Sequence, residues 1–106
     1  MFYVYIIRSE KDGSFYKGFS LQPLTRLQQH NNKESKYTAA KIPWQLFHIE
    51  IFDNKTTALK REIVLKKYSH QQIVALSKSF KNQLQHDIKY QGLGCSPVIP
   101  NWLGTG

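Results

Sequence analysis

Two short runs rich in β-branched and aromatic residues open the chain: FYVYIIR at 2–8 and FYKGF at 15–19. Residues of that kind fit a pleated, half-buried surface. Between them Glu10-Lys11-Asp12-Gly13-Ser14 supplies the Asp-Gly pair that turns tight hairpins. The pattern predicts a β-hairpin. With Arg8 set opposite Phe15, Ile7 pairs with Tyr16 and Tyr5 with Gly18, so that Tyr5 and Tyr16 share one sheet face as diagonal neighbours.

Pro23 suits the first turn of a helix and disfavours helical geometry at Gln22, which predicts a helix from about residue 23 to 32. Leu24 and Leu27 form its core stripe. Arg26 and His30 lie one turn apart on the stripe's shoulder, where side chains reach the sheet edge and still meet solvent. NNKESKYTAAKIP at 31–43 is polar, ends in proline and reads as a loop. WQLFHIEIF at 44–52 is a third strand, and its apolar residues on both parities predict cover on both faces. A second helix is expected over about 56–68, with Ala58, Leu59, Ile63 and Leu65 on its apolar side and Glu62 in the middle of them. A carboxylate aimed at a core is costly unless it is paired, binds a metal or opens to a cleft. Ser69 and Gln72 have the spacing of a capping box and begin a short helix at His70 that ends near Ser79. The order β-β-α-β-α-α predicts an α+β fold, a mainly antiparallel three-stranded sheet flanked by helices.

The chain has 106 residues, of which 41% are hydrophobic and 13% aromatic, enough for one packed core and too few for two ordinary domains. One domain over 1–82 is expected. Residues 83–106, with four glycines and two prolines, are expected to form an irregular tail. No apolar run reaches the roughly eighteen residues of a membrane span, and the amino terminus has no leader pattern. The lone cysteine, Cys95, has no intramolecular disulfide partner and no zinc-site spacing, so a reducing cytoplasm is the expected compartment. Fifteen Lys and Arg against seven Asp and Glu give +8. Nucleic acid is the leading partner for such a charge, because neutralising phosphates releases condensed counterions. A solvated basic surface is the competing explanation. No helix joins a broad apolar face to a lysine-rich one as membrane binding would require.

The positions that suggest chemistry are Tyr5, Tyr16, Arg26, His30 and Glu62. Each also has an ordinary reading. Strand tyrosines are commonly packing residues, Arg26 and His30 suit a helix surface, and Glu62 suits an ion pair with Lys66 one turn on.

Taken together, Val4-Tyr5-Ile6, Tyr16-Lys17-Gly18 eleven residues after Tyr5, the Arg26-x-x-x-His30 helix, the strand opening at Pro43-Trp44, and Ala58 through Glu62 resemble the GIY-YIG nuclease superfamily. The likeness is to its small single-domain bacterial members, related to the nuclease module of the repair protein UvrC, and covers residues 2 to about 80. It implies the same three-stranded α+β fold and an endonuclease that hydrolyses DNA phosphodiester bonds with one divalent cation, Mg²⁺ or Mn²⁺. Branched or damaged DNA are candidate substrates. Carried across by position, Tyr5 and Tyr16 match the family's tyrosines, and one phenol helps activate the attacking water. Arg26 holds the scissile phosphate, His30 assists proton transfer and Glu62 binds the metal. Lys17, Lys33, Lys36 and Lys41 are candidate DNA contacts.

Phosphodiester cleavage needs these chemical parts. Mg²⁺ can act through one carboxylate while keeping several waters. Guanidinium forks match phosphate oxygens. A phenol, with a pKa near 10, is a poor base at neutral pH unless nearby cations such as Lys17, Arg26 and the metal stabilise its phenolate. Gly18 is expected to allow a close backbone approach beside Tyr5, or else to mark a bulge. Glycine is absent from the first triplet, where Tyr3-Val4-Tyr5 stands, and a lysine occupies the middle of the second. Asn82 is a candidate for the family's later asparagine. The alternative to an enzyme is a non-catalytic nucleic-acid-binding module that keeps the fold.

Overall fold

The central strand is the most apolar, VYII at 4–7, and each of those four residues is at most 1% exposed. In the computed structural model, which describes residues 1–79 and 81–82, β1 (Phe2–Ser9), β2 (Phe15–Ser20) and β3 (Trp44–Phe52) form an antiparallel sheet in the order β2-β1-β3. A buried central strand between two partners leaves none of its backbone groups facing an open edge. Gly13, with φ +76°, completes the turn between β1 and β2, and Ser14 N–H and Oγ–H both donate to the Asp12 carboxylate.

The hairpin register is the one the alternation predicts: Arg8 pairs with Phe15, Ile7 with Tyr16 and Tyr5 with Gly18. On the other side of β1, Tyr5 pairs with Ile49 and Ile7 with Leu46, while Val4 pairs with Glu50 and Ile6 with His48. A bulge at Phe47 lies between these pairs. Strand alternation then divides the sheet. Tyr5, Tyr16, Ile49 and Leu46 share one face, and Lys17, Glu50 and His48 share the other.

Helix α1 (Pro23–Asn31) has proline at its first position, as expected, and buries Leu27 and His30. The asparagine that ends it is a clip: Asn31 Oδ1 accepts from Trp44 N–H at 2.7 Å, and Asn31 Nδ2 donates to Trp44 O at 3.1 Å. The polar stretch that follows is more structured than a plain loop. It contains a single 3₁₀ turn, Ala39–Lys41, and packs Thr38 fully into the interior. Strand β3 is buried on both faces from Trp44 to Glu50, as its doubled parity predicts.

Helix α2 (Lys55–Lys66) is capped by Asn54, whose side chain accepts from Thr57 N–H. Its buried stripe is Ala58 and Leu65, with Glu62 between them. Ile63, expected inside, is instead 57% exposed, because the helix is rotated so that Ala58 and Leu65 meet the sheet and Ile63 falls on the far side. Helix α3 (His70–Ser77) begins with the full capping box of Ser69 and Gln72. Beyond it the Asn82 side chain closes the domain: its Oδ1 accepts from Ile49 N–H, and its Nδ2 donates to Phe47 O and Ser77 O. The tail expected over 83–106 and Cys95 lie outside the described residues.

Candidate active site

Tyr5 and His30 come together because β1 and α1 pack face to face. The Tyr5 hydroxyl lies 3.0 Å from His30 Nε2, and His30 Nδ1 lies 2.8 Å from Thr38 Oγ1. Thr38 points its own hydroxyl at Ser35 O, 3.4 Å away, which leaves its oxygen to accept from His30 Nδ1–H. That arrangement assigns the tautomer. Nε2 carries the lone pair and accepts the Tyr5 proton. The Tyr16 ring meets His30 edge-on with centroids 4.9 Å apart, so one imidazole touches both tyrosines. Tyr16 in turn leans on Trp44, whose indole N–H donates to Thr38 O at 2.9 Å.

Burial divides these residues into two layers. Tyr5 is 1% and His30 0% exposed, whereas Tyr16, Arg26 and Glu62 remain half-buried. The expectation that His30 meets solvent from the helix shoulder is therefore corrected, because the 32–43 segment closes over it with Thr38. Nor do both phenols reach water: Tyr16 is the accessible one, and Tyr5 stands behind it.

Electrostatics follow from the layering. Burial pushes the Tyr5 phenol well above its ordinary value, and the neighbouring Tyr16 and Glu62 add to the rise. The Arg26 guanidinium beside it offsets only part of the effect. Tyr5 therefore stays protonated at neutral pH, contrary to the expectation of a cation-stabilised phenolate. Lys17 does not help, because it pairs with Ile6 on the opposite face. Burial, with Arg26 nearby, lowers His30 to about 4, so the imidazole is neutral at ordinary pH and resists protonation.

Arg26 is held from its own helix, its Nη1 donating to Gln29 Oε1 at 2.9 Å. Glu62 keeps 16% of its side-chain surface exposed and lies 3.5 Å from Lys66 Nζ, so the ion pair of its ordinary reading forms as well. The most buried carboxylate of the described residues is another one. Glu50 receives Arg61 in a fork at 2.9 and 3.1 Å and also contacts His48 Nε2 at 2.7 Å. Those partners outweigh burial and hold its pKa below the usual value. Arg61 thus anchors α2 to the sheet one residue before Glu62.

Sequence pattern gave no hint of Thr38, Gln29 or the Glu50–Arg61 pair. Thr38 sits in a polar stretch, and Glu50 and Arg61 belong to different elements. Of the basic residues, Lys33 and Lys36 are exposed, whereas Lys41 is drawn to Asp12 at 3.3 Å.

The two tyrosines, eleven residues apart, are bridged by a histidine from the helix that also carries Arg26. A family model described as the GIY-YIG catalytic domain matches residues 1–73. The chain belongs to the GIY-YIG family. A UPF0213 protein of Staphylococcus saprophyticus is 43% identical over 75 residues, which are 70% of this chain and 90% of that one. A UPF0213 protein of Haloquadratum walsbyi is 40% identical over 70 residues, 65% of this chain and 78% of the other. The solution NMR structure of the UPF0213 protein from Bacillus halodurans superposes with a TM-score of 0.51 at 28% identity, over 86% of this chain and 98% of that one. Those names state no activity. Membership of the GIY-YIG family implies activity of the nuclease type and association with DNA. Among the described residues no helix is long and apolar enough to cross a membrane.

The metal expected in a GIY-YIG nuclease can be tested against the donors. No group of three His, Cys, Asp or Glu side chains is gathered among the described residues. A many-ligand zinc-type cage does not fit. A single partly exposed carboxylate does fit a hard cation that retains its hydration, and Glu62, with 16% of its side-chain surface exposed, is that carboxylate.

Proposed function

We propose that this GIY-YIG protein is a divalent-metal-dependent endonuclease that hydrolyses DNA phosphodiester bonds, with branched or damaged DNA as candidate substrates. The observation that carries the reading is the Tyr5–His30 hydrogen bond, set behind a surface made by Tyr16, Arg26 and Glu62. Arg26 binds the scissile phosphate, and Gln29 keeps its guanidinium oriented. Glu62 would hold Mg²⁺ or Mn²⁺, which supplies charge neutralisation at a phosphate oxygen.

Attack by water on phosphorus forms the new P–O bond and breaks the bond to the leaving oxygen. The water's proton passes to solvent beside the half-exposed Tyr16, and the leaving oxygen takes one up from the same solvent, while the Tyr5–His30 hydrogen bond holds the two buried rings in place behind them. Thr38 fixes the neutral imidazole by accepting from Nδ1–H. Tyr16, half-exposed against His30, orients the water. Neither Tyr5 nor His30 needs to be charged, which suits their burial.

Nicking of supercoiled and branched DNA in Mg²⁺ or Mn²⁺ tests the reading, with Glu62→Gln and Tyr5→Phe as comparison. Loss of nicking with retained folding and DNA binding supports the enzyme. Binding by the wild type without nicking on every metal and substrate replaces it with a nucleic-acid-binding module.

A further inference from the structure

Arg26 has a second side. Where β2 runs into α1, Phe19, Ser20, Leu21, Gln22, Thr25, Arg26 and Gln29 line an open groove of about 440 Å³. Its lining contains no carboxylate, and Leu21 stands 59% exposed at its edge. An exposed leucine beside amide and hydroxyl side chains is an uneconomical surface to leave to water. It suits a ligand with one apolar face and a hydrogen-bonding rim.

We propose that this groove seats one nucleoside of a DNA strand, the one adjoining the phosphate held by Arg26. The inference rests on the nuclease reading for the role of Arg26 and adds where the strand runs. Three observations carry it. Arg26, whose charge acts on the Tyr5 phenol, also lines the groove, so a phosphate bound by it has the reacting residues on one side and the groove on the other. A nucleoside is tethered to its phosphate by a few bonds, and the groove is large enough for a base and its sugar. The absence of carboxylates from the lining leaves nothing to repel the strand, in a chain of charge +8. Leu21 offers the base an apolar contact, and Gln22 and Thr25 offer its edge a hydrogen-bonding rim that any of the four bases can use.

The test is Thr25→Glu in the full chain, measured by the binding of two short strands: a thymidine homopolymer, and the same sugar-phosphate strand with every base removed. Thr25 is exposed at the third position of α1, where an acidic residue favours the helix, so the variant should fold; a thermal melt verifies this. Lys60→Gln, on an exposed position of α2 outside the groove's lining, makes the same change in net charge. The expected result is a loss of about tenfold for the thymidine strand with Thr25→Glu, within the range that losing one base contact produces. The baseless strand should weaken no more than it does with Lys60→Gln. Equal weakening of both strands by Thr25→Glu, or of neither, overturns the proposal. Nicking is not part of the readout. A protein that fails to nick but shows the base-dependent loss keeps the groove and loses the nuclease reading, and one that nicks without that loss does the reverse.

Discussion

The ring of Tyr5 lies directly across Gly18 on the neighbouring strand: a Cβ built on Gly18 would stand 2.5 Å from both Cζ and Oη of that phenol. The missing side chain on β2 is what lets the Tyr5 ring lie flat and carry its hydroxyl to His30. Gly18 does not adopt a left-handed conformation, so the requirement is for space and not for backbone freedom.

Gly18→Ala should therefore act through Tyr5. Overpacking of a buried ring costs about 1–3 kcal/mol. Urea denaturation should show a loss of that size, and the ring nitrogen shifts of His30 should change as its phenol partner is pushed away. A stability loss with unchanged His30 shifts would mean that the sheet, not the ring, absorbs the strain.

Thr38→Val keeps the shape of a buried side chain and removes the acceptor for His30 Nδ1–H. Leaving that nitrogen buried without a partner costs about 1–3 kcal/mol. Nitrogen NMR of His30 should show the tautomer mixture shifting from pure Nδ1–H, and nicking should fall more than stability does. A wild-type tautomer in the variant would show that Thr38 does not set the state of the imidazole.

Acid should weaken the fold in a defined window. His30 titrates near 6.5 when unfolded and at about 4 when folded, so below 6.5 the unfolded chain takes up a proton that the folded one refuses. Stability falls as the pH drops from 6.5 towards 4 and the loss levels off below that, each pKa unit corresponding to about 1.4 kcal/mol. Glu50, whose folded pKa is lowered, loses its contribution at still more acidic pH. Urea melts between pH 8 and 4 should show the slope, and His30→Gln should flatten it above the carboxylate range.

Arg61→Met should damage both fold and site. It leaves Glu50 buried with His48 as its remaining side-chain partner, and breaking such a pair costs about 3 kcal/mol. Because Arg61 fixes the rotation of α2, Glu62 should lose its orientation, raising the Mn²⁺ concentration needed for nicking. Glu50→Gln combined with Arg61→Met should recover part of the stability, since the lone buried charge is gone. A double variant no more stable than Arg61→Met would show that the pair contributes through packing alone.

The chain's local chemistry settled the secondary structure and which of the candidate residues share a face. Period-two alternation and the Asp-Gly turn dictate the hairpin register, and that register alone places Tyr5 and Tyr16 on one face and Lys17 on the other. The four-residue spacing of Arg26 and His30 puts them on one side of α1, and the positions of Ala58, Glu62 and Leu65 put the glutamate on the buried stripe of α2. These relations act between neighbours in the sequence, where geometry follows from spacing. Only the tertiary structure decided that Tyr5 and His30 are covered and Tyr16 is not, that Thr38 sets the imidazole tautomer, that Glu50 and Arg61 lock α2, and that Asn82 ties β3 to the end of α3. Burial depends on which distant segment closes over a side chain. Hydrogen bonds between residues such as Glu50 and Arg61 exist only once separate elements have packed, and no periodicity along the chain encodes that meeting.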